Sequence, residues 1–479
     1  MLFSSVPFLF YFLPCVLLVY FLVPGTLKNG VLLLASLLFY GWGEPRYLLV
    51  MLAAIAQGYV FGLLIEKSRG KRRAGLYLAL SVLLSLGTLV YFKYADFMIR
   101  NLNALTGLSV PLLSLALPVG ISFYTFQILS YTVDVYRGTV PAQRNLIDLA
   151  AYIAMFPQLI AGPIVRYSDI APELRSRTHM LSDAAAGTRR FVLGLAKKIL
   201  FANLLGELVS GFRASQEQTV LYAWLGAAAF TLQIYYDFSG YSDMAIGLGL
   251  ILGFHFPENF RYPYCAGSIT EFWRRWHISL GSWFRDYLYI PLGGNRKGKA
   301  RKYLNNMITF LASGLWHGAS WHFVVWGGLN GAYQVVGEIL RPTRERLCAA
   351  LHIRRESLVW QALRVAITFV FIDFAWLFFR ASSLTTAVDM IRCALAGGAA
   401  MGEGFTLGLE VPELRVMAAS ILLLAVVDVV NLRCSIRTLV TRLPLPVRWV
   451  IYLVSIYVIL IFGIYGPGFS ESQFIYFQF

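Results

Sequence analysis

The sequence predicts an all-α polytopic membrane protein. Of its 479 residues, 58% are hydrophobic and only 14% are charged, whereas soluble domains carry about 25% charged residues. The mean hydropathy is +0.63. The apolar residues also come in runs that approach the about 20 residues a helix needs to cross a bilayer. Together these observations exclude an ordinary soluble enzyme.

Apolar runs predict membrane segments along most of the chain, at about 4–23, 29–43, 47–66, 75–93, 112–133, 147–165, 190–210, 219–236, 243–256, 303–318, 321–340, 359–379, 414–431 and 447–466. Several segments are short or interrupted, as at Pro118–Gly120 and Gly162–Pro163. Irregular backbone at membrane depth is tolerated only where protein buries it or where it lines a cavity. We therefore expect one domain over residues 1–479, divided into N-terminal spans (about 1–110), a catalytic core (about 111–340), C-terminal spans (about 341–466) and a tail (467–479).

Basic residues predict the orientation of the chain. The net charge is +16, and the positive-inside rule assigns loops rich in Lys and Arg to the cytoplasm. Four such loops are Lys67–Arg73, Arg296–Lys302, Arg341–Arg355 and Arg433–Arg448. The last span then runs outward, so the C-terminal tail is expected on the extracytoplasmic side. Because these loops connect membrane spans, they do not indicate nucleic-acid binding, although they suit anionic lipids or an anionic cofactor.

One histidine, His317, stands in the apolar, tryptophan-rich stretch Leu311–Gly328. The segment at about 303–340 begins and ends at cytoplasmic loops, so it is predicted to enter the membrane as a hairpin with His317 near its tip. About 15 residues separate Lys302 from His317, or roughly 22 Å at 1.5 Å per residue. An imidazole at membrane depth is usually functional, and it can move a proton near neutral pH. The alternative is a packing histidine bonded to a neighbouring carbonyl.

A second histidine, His277, lies in the segment EFWRRWHISL, Glu271–Leu280. Three arginines accompany it: Arg274, Arg275 and Arg285. Guanidinium groups bind phosphates in a bidentate manner, so these arginines are candidates for holding the phosphates of coenzyme A or of a phosphopantetheine arm. The alternative is that they snorkel to lipid headgroups.

Other polar residues within the apolar stretches are predicted to be structural. His322 follows His317 by five residues and falls on a different helical face. Asp237 and Asp243 flank a Ser-Gly-Tyr-Ser turn between two apolar stretches, where carboxylates pair with core arginines or helix N-termini. The remaining histidines, at loops or span ends, are His179, His255 and His352. The five cysteines show no zinc-like spacing, so no metal site is predicted.

Motifs along nearly the whole chain resemble one known family. They are MLFSSVPFLFYFLP (Met1–Pro14), LPVGISFYTFQILSYTVDVYRG (Leu117–Gly138), FPQLIAGPIVRY (Phe156–Tyr167), YYDFSGYSDMAIG (Tyr235–Gly247), FPENFRYPYCAGSITEFWRRWHISLGSWFRDYLYIPLGGNR (Phe256–Arg296), GLWHGASWHFVVWG (Gly314–Gly327), FAWLFFRA (Phe374–Ala381) and FIYFQF (Phe474–Phe479). In their order and spacing the chain resembles the membrane-bound O-acyltransferases of the bacterial alginate O-acetyltransferase type. The resemblance implies a ring of transmembrane and re-entrant helices around a central tunnel.

The resemblance also implies roles for individual residues. The histidine of the W-H-G motif, His317, would be the catalytic base, and His277 would be the second active-site position, where many relatives have asparagine. There His277 would orient the acyl carbonyl or donate a hydrogen bond to the developing oxyanion. The alternative is a structural histidine at a helix–membrane interface. In the C-terminal FIYFQF, Tyr476 is either an acyl shuttle or one aromatic of an interfacial belt.

The expected function is therefore transfer of an acetyl group from a cytoplasmic thioester, acetyl-CoA or a phosphopantetheine carrier, to a cell-surface polysaccharide such as alginate. An extracytoplasmic esterase-like acyltransferase is the expected partner, and the plasma (inner) membrane is the expected location. Within the same class, the alternative is D-alanyl or other acyl transfer to teichoic acid or peptidoglycan. A membrane transporter or polymer-export scaffold is the alternative from another class.

Overall fold

The computed structural model describes residues 2–160, 162–214, 219–396, 411–463 and 474. These residues form helices joined by loops, and no β-strand occurs among them. Helices suit an apolar chain because each one satisfies its own backbone hydrogen bonds in a bilayer. The all-α class is thus confirmed, whereas the tunnel stays a prediction.

The chain divides into two compact units. The first contains the described residues of Met1–Leu195 together with Tyr241–Glu258. Its helices are α1 (Leu13–Leu22), α2 (Lys28–Gly43), α3 (Leu48–Lys67), α4 (Arg72–Leu89), α5 (Ala95–Thr106), α6 (Ile121–Arg137), α7 (Leu146–Ala154), α8 (Phe156–Leu159), α9 (Tyr167–Arg175) and α10 (Leu181–Ala196).

The second unit contains Ala196–Gly240 and the described residues of Asn259–Ile475. Its helices are α11 (Asn203–Ala214), most of α12 (Val220–Ile251), α13 (Ile269–Arg275), α14 (Ile278–Phe284), α15 (Gly298–His317), α16 (Trp321–Ile339), α17 (Arg341–Ala350), α18 (Leu358–Arg380), α19 (Leu384–Ala396), α20 (Val411–Arg433), α21 (Ile436–Thr441) and α22 (Leu445–Phe462). Short π segments occur at Pro7–Phe12, Val90–Tyr94, Lys197–Ala202 and Arg285–Tyr289, and 3₁₀ turns at Gly25–Leu27, Pro45–Tyr47 and Pro263–Cys265.

Among the described residues, four helical segments are long and apolar enough to cross a membrane: Pro45–Lys67, Arg72–Thr106, Leu358–Arg380 and Leu445–Phe462. They match four of the predicted spans. Some of the other predicted spans correspond to shorter or broken helices. The segment predicted at 147–165, for example, is divided between α7 and α8, and the chain is irregular again from Gly162 until α9 begins at Tyr167. The predicted break at Gly162–Pro163 is therefore confirmed.

The start of α6 confirms the break predicted at Pro118–Gly120 but corrects the predicted span at 112–133. Residues 107–120 are not helical, and α6 begins only at Ile121. Gly120 has a φ of +74°, and a Cβ there would lie 2.8 Å from the carbonyl oxygen of Leu159. A residue with a side chain would therefore meet both an unfavourable dihedral and a clash.

Two predicted spans, 219–236 and 243–256, lie largely on the single helix α12, and the turn expected between Asp237 and Asp243 does not exist. A single glycine, Gly240, costs a helix interior only about 1 kcal/mol. The serines on either side of it, Ser239 and Ser242, are buried in the protein. Long apolar stretches before and after this segment keep it helical, so the polar tetrapeptide does not interrupt the helix.

Within the first unit, the guanidinium of Arg190 binds two carboxylates. Its Nε lies 2.9 Å from Asp243, and its terminal nitrogens lie 2.6 and 2.5 Å from the two oxygens of Glu258. A fork of this kind gives strong, directional, charge-assisted hydrogen bonds. The prediction that Asp243 pairs with a core arginine is therefore confirmed.

In the second unit, α15 and α16 form a helical hairpin with close backbone contact. A Cβ added to Gly314 would lie 3.2 Å from the Cα of Gly327, and it would clash with the carbonyl oxygen of Phe323. Small residues at a crossing allow helices to approach closely in membrane proteins. Further along the chain, α18 packs on α16, and this arrangement surrounds the turn of the hairpin with aromatic side chains.

Candidate active site

His317 is the last residue of α15, at the turn of the hairpin. Gly318, which follows it, is extended with a φ of −163°, and α16 begins at Trp321. The imidazole is 7% exposed. His317 therefore lies at the C-terminal end of a helix and is buried within the second unit.

Three aromatic side chains contact His317 and a fourth packs on two of them. Together they are here called the aromatic cluster: Trp316, Trp326, Phe379 and Trp376. The imidazole centroid lies 5.0 Å from that of Trp316 and 5.2 Å from those of Trp326 and Phe379, with each pair of rings edge to face. Trp376 completes the cluster by stacking on Trp326 at 5.7 Å. An imidazole held this way is screened from water, and proton transfer inside such a site depends on groups the protein supplies.

His277 lies between α13 and α14 and is 2% exposed. Its φ of 44° and ψ of 53° lie in the left-handed region, which is unfavourable for a residue with a Cβ. Strained backbone of this type clusters at functional sites. The ring packs at 4.7 Å against Phe238 and at 6.1 Å against Trp316. The two predicted active-site histidines therefore contact the same indole, that of Trp316.

Sequence reasoning missed Asn259, a fully buried residue beside His277. Its side-chain oxygen lies 3.0 Å from Nδ1 of His277 and accepts hydrogen bonds from the hydroxyl (2.8 Å) and the amide (3.3 Å) of Ser279. Its backbone carbonyl accepts from the amide of Ile278 at 3.0 Å. In the sequence, Asn259 could have been noticed as a polar residue among the aromatics of FPENFRYPY. Its contact with His277, however, arises only from the fold.

The three predicted donor-binding arginines differ in their contacts. Arg275 forms an ion pair with Glu271 at 2.6 Å, and Arg285 forms one with Asp286 at 2.7 Å. Arg274 is exposed and has no ion pair among the described residues. Arg285 is also largely exposed. Arg274 is therefore the arginine most accessible to an added anion, and Arg285 comes next.

The other histidines have structural contacts. His322 is buried, and its Nδ1 lies 3.1 Å from the carbonyl oxygen of Phe378. In the first unit, Nε2 of His179 lies 3.0 Å from the hydroxyl of Tyr20, and His255 pairs with Glu173 at 2.7 Å. The remaining histidine is His352, at the end of α17. These contacts support the structural interpretation of His322.

A buried ion pair lies beside a residue that contacts His277. The ammonium of Lys198 is 2.7 Å from Asp237, and both side chains are almost inaccessible to water. Asp237 immediately precedes Phe238, whose ring packs on His277. The expected pairing of Asp237 with a core arginine is thus corrected, because the partner is a lysine from the π segment after α10.

Tyr476, the predicted acyl shuttle, lies outside the described residues. The site that is described consists of two buried imidazoles, their shared aromatic neighbour and an asparagine bound to one of them. Burial favours the neutral form of an imidazole, and a neutral imidazole can act as a general base toward a hydroxyl group. Acyl transfer to a hydroxyl requires this chemistry.

Comparison with known proteins supports the same interpretation. The family described as membrane-bound O-acyltransferase matches residues 139–381. A probable alginate O-acetylase of Pseudomonas syringae pv. tomato is 42% identical, over 88% of this chain and 81% of its own length. A peptidoglycan O-acetyltransferase of Helicobacter pylori is 35% identical, over 82% and 79%. A teichoic acid D-alanyltransferase of Streptococcus thermophilus is 27% identical, over 54% and 68%. The chain therefore belongs to the membrane-bound O-acyltransferase family and is an O-acyltransferase.

Proposed function

We propose that this enzyme takes an acetyl group from a cytoplasmic thioester, acetyl-CoA, and moves it across the plasma (inner) membrane for O-acetylation of a cell-surface polysaccharide. The observation that carries the proposal is the burial of His317 in the aromatic cluster, at the turn of a hairpin inside the region that matches the family. Similarity to alginate and peptidoglycan O-acetylating enzymes supports acetyl as the group and a glycan as the acceptor. An alginate-like or other exopolysaccharide fits best.

The chemical step needs a base near the attacking hydroxyl. His317 takes the hydroxyl proton as the oxygen attacks the thioester carbonyl. A C–O bond forms, the C–S bond breaks, and the proton passes to the departing thiolate to give the free thiol. General acid–base catalysis of this type contributes about 10²–10⁴-fold to a rate. The aromatic cluster supports the step because it limits hydrolysis of the thioester by water.

Arginines near His277 are proposed to bind the donor. Arg274 is the best candidate because it is exposed and has no ion pair among the described residues, and Arg285 is the second. Arg275 has a structural role in this proposal, since Glu271 already neutralises it. The phosphates of coenzyme A suit guanidinium groups.

Transfer across the membrane is proposed to use Tyr476 as an acyl shuttle. In this scheme the phenol hydroxyl accepts the acetyl group near His317, and the extracytoplasmic tail delivers it to an esterase-like acyltransferase partner. A covalent intermediate divides one difficult transfer into two easier steps. It also lets the acetyl group cross the membrane without coenzyme A.

Mass spectrometry of the purified protein incubated with acetyl-CoA, without any partner, tests the proposal. We expect one acetyl group on Tyr476, which is absent in His317→Ala and Tyr476→Phe. The matched control is His322→Ala. His322 is a buried histidine five residues further along, and it contacts the carbonyl of Phe378 rather than the aromatic cluster. This variant should still acquire the acetyl group. Acetylation that persists in His317→Ala would remove His317 as the base.

Further outcomes separate the alternatives. No adduct, with polysaccharide acetylation in cells still requiring His317, would keep the acyltransferase and make the C-terminal aromatics a docking element. Labelling by a D-alanyl carrier protein but not by acetyl-CoA would favour D-alanyl transfer to teichoic acid. If polysaccharide export, rather than acylation, were lost in His317→Ala, a transporter or export scaffold would replace the acyltransferase proposal.

A further inference from the structure

Asn259 is a candidate positioning residue for His277. The two residues are joined by a side-chain hydrogen bond of 3.0 Å and are both almost inaccessible to water. The backbone carbonyl of Asn259 also receives the amide of Ile278, the residue after His277. The asparagine therefore contacts His277 and both residues that follow it.

The hydrogen bonds of Ser279 determine which end of the Asn259 amide faces His277. Three groups contact the same side-chain atom of Asn259: the backbone amide of Ser279, the hydroxyl of Ser279 and the imidazole of His277. Of these, the backbone amide can only donate a hydrogen bond. An NH₂ group at that position would face an N–H donor at 3.3 Å. The atom is consequently the carbonyl oxygen, which accepts and does not donate.

The tautomer of His277 follows from this orientation. Because the Asn259 oxygen can only accept, Nδ1 of His277 must carry the proton and donate it in the hydrogen bond. In the neutral imidazole the other nitrogen, Nε2, then holds a lone pair. A neutral His277 therefore accepts hydrogen bonds at Nε2 and cannot donate one to an oxyanion from that nitrogen.

We propose that Asn259 is a positioning residue that holds His277 as a hydrogen-bond acceptor within the active site. This inference rests on the acyl transfer proposed above and replaces the oxyanion-donor role expected for His277 with an accepting one. Nε2 aligns an O–H or S–H group of the reactants, while His317 carries the proton transfer. The strained backbone of His277, with its φ of 44°, is maintained by the same hydrogen bonds, so orientation and tautomer depend on one asparagine.

The first test is ¹⁵N NMR of the full-length protein labelled at histidine, with the His277 signals assigned by comparison with His277→Gln. At a pH where the ring is neutral, we expect a protonated Nδ1 and an unprotonated Nε2. A protonated Nε2 would overturn the proposal. This readout does not require acyl transfer, so it can fail while the proposed function stands, and loss of the function would leave it unaffected.

The second test compares Asn259→Ala with Asn259→Asp in steady-state acetyl transfer. Loss of a residue that orients an active-site histidine costs about 10–100-fold in activity by analogy with metal-site partners, and we expect the loss in kcat with little change in KM. Aspartate offers acceptors to all three donors, so Asn259→Asp should keep the tautomer and stay within a few-fold of the parent in kcat.

Asn305→Ala is the matched control. Asn305 is also fully buried, and its amide donates to the carbonyls of Leu292 and Gly294, away from His277. It should lower stability without changing the His277 spectrum. If Asn259→Ala keeps the parental tautomer and kcat, or if Asn305→Ala shifts the His277 signals equally, the positioning role is wrong. Should Asn259→Ala fail to fold, the parent spectrum and Asn259→Asp still decide the question.

Discussion

The sequence predicts membrane segments both for the helix α22 and for the α15–α16 hairpin. In the structure the two regions differ in how far their side chains are buried. Only 6% of the residues of α22 are buried within the protein. Trp449 on this helix is 57% exposed. In the hairpin, Trp326 is 1% exposed and contacts His317. Hydropathy identifies both segments as apolar, but only the packing shows that α22 is exposed on most of its surface and that the hairpin buries His317, the candidate catalytic residue.

The difference follows from residue types as well as from position. The helix α22 consists almost entirely of aliphatic and aromatic residues, with no charged residue after Arg448, so it needs no polar partner inside the protein. The hairpin contains glycines, indoles and imidazoles. Glycines allow close contact, and indoles and imidazoles need polar partners when they are buried. Substitutions in the two regions should therefore have different consequences.

The largest difference is expected for tryptophan. Trp326→Ala removes a fully buried side chain that contacts His317 and should lower the free energy of unfolding by about 3–5 kcal/mol, with loss of acetyl transfer. Trp449→Ala in α22 is the matched control and should change stability by less than about 0.5 kcal/mol. Detergent-solubilised protein unfolded by titration with SDS gives both values. Equal losses of stability in the two variants would contradict the difference in packing between the hairpin and α22.

A smaller difference is expected for glycine in the hairpin itself. Gly314→Ala places a methyl group against the backbone of α16 and should cost about 1–3 kcal/mol through overpacking. At Gly337, on the same hairpin, a Cβ would meet no atom within 4 Å, so Gly337→Ala should be neutral or stabilising by about 0.5–1 kcal/mol. The same SDS titration measures both. A Gly314→Ala variant as stable as the parent would mean that the helices are free to separate.

The smallest effect of a single substitution is expected on the exposed face of α22, and a buried residue of the same helix provides the contrast. Leu453 is 48% exposed, so Leu453→Ala should stay within about 0.5 kcal/mol of the parent and retain acetyl transfer. Ile459 on the same helix is buried, and Ile459→Ala should cost about 2–5 kcal/mol. Thermal unfolding followed by size-exclusion chromatography ranks the two variants. A reversed order would mean that α22 packs through its other face.

Much of the fold could be predicted because apolar runs of spanning length have few alternatives in a bilayer. The helix breaks at Pro118–Gly120 and Gly162–Pro163 were also predictable, since proline and glycine act on the local backbone. The turn expected between Asp237 and Asp243 was wrong because a polar tetrapeptide is compatible with either a turn or a buried helix. Burial by neighbouring elements decides between the two, and a local pattern does not include that information.

By itself, the sequence determined that the chain is helical, apolar and a member of its family, and it singled out His317 and His277. These properties follow from composition, spacing and motifs. Only the tertiary structure decided that both imidazoles contact Trp316 and that Asn259 binds His277. The contacts that His277 makes with Trp316 and Asn259 join residues that are separated along the chain. The physical reason is that hydrogen-bond partners and ring packing depend on three-dimensional proximity, which no local pattern specifies.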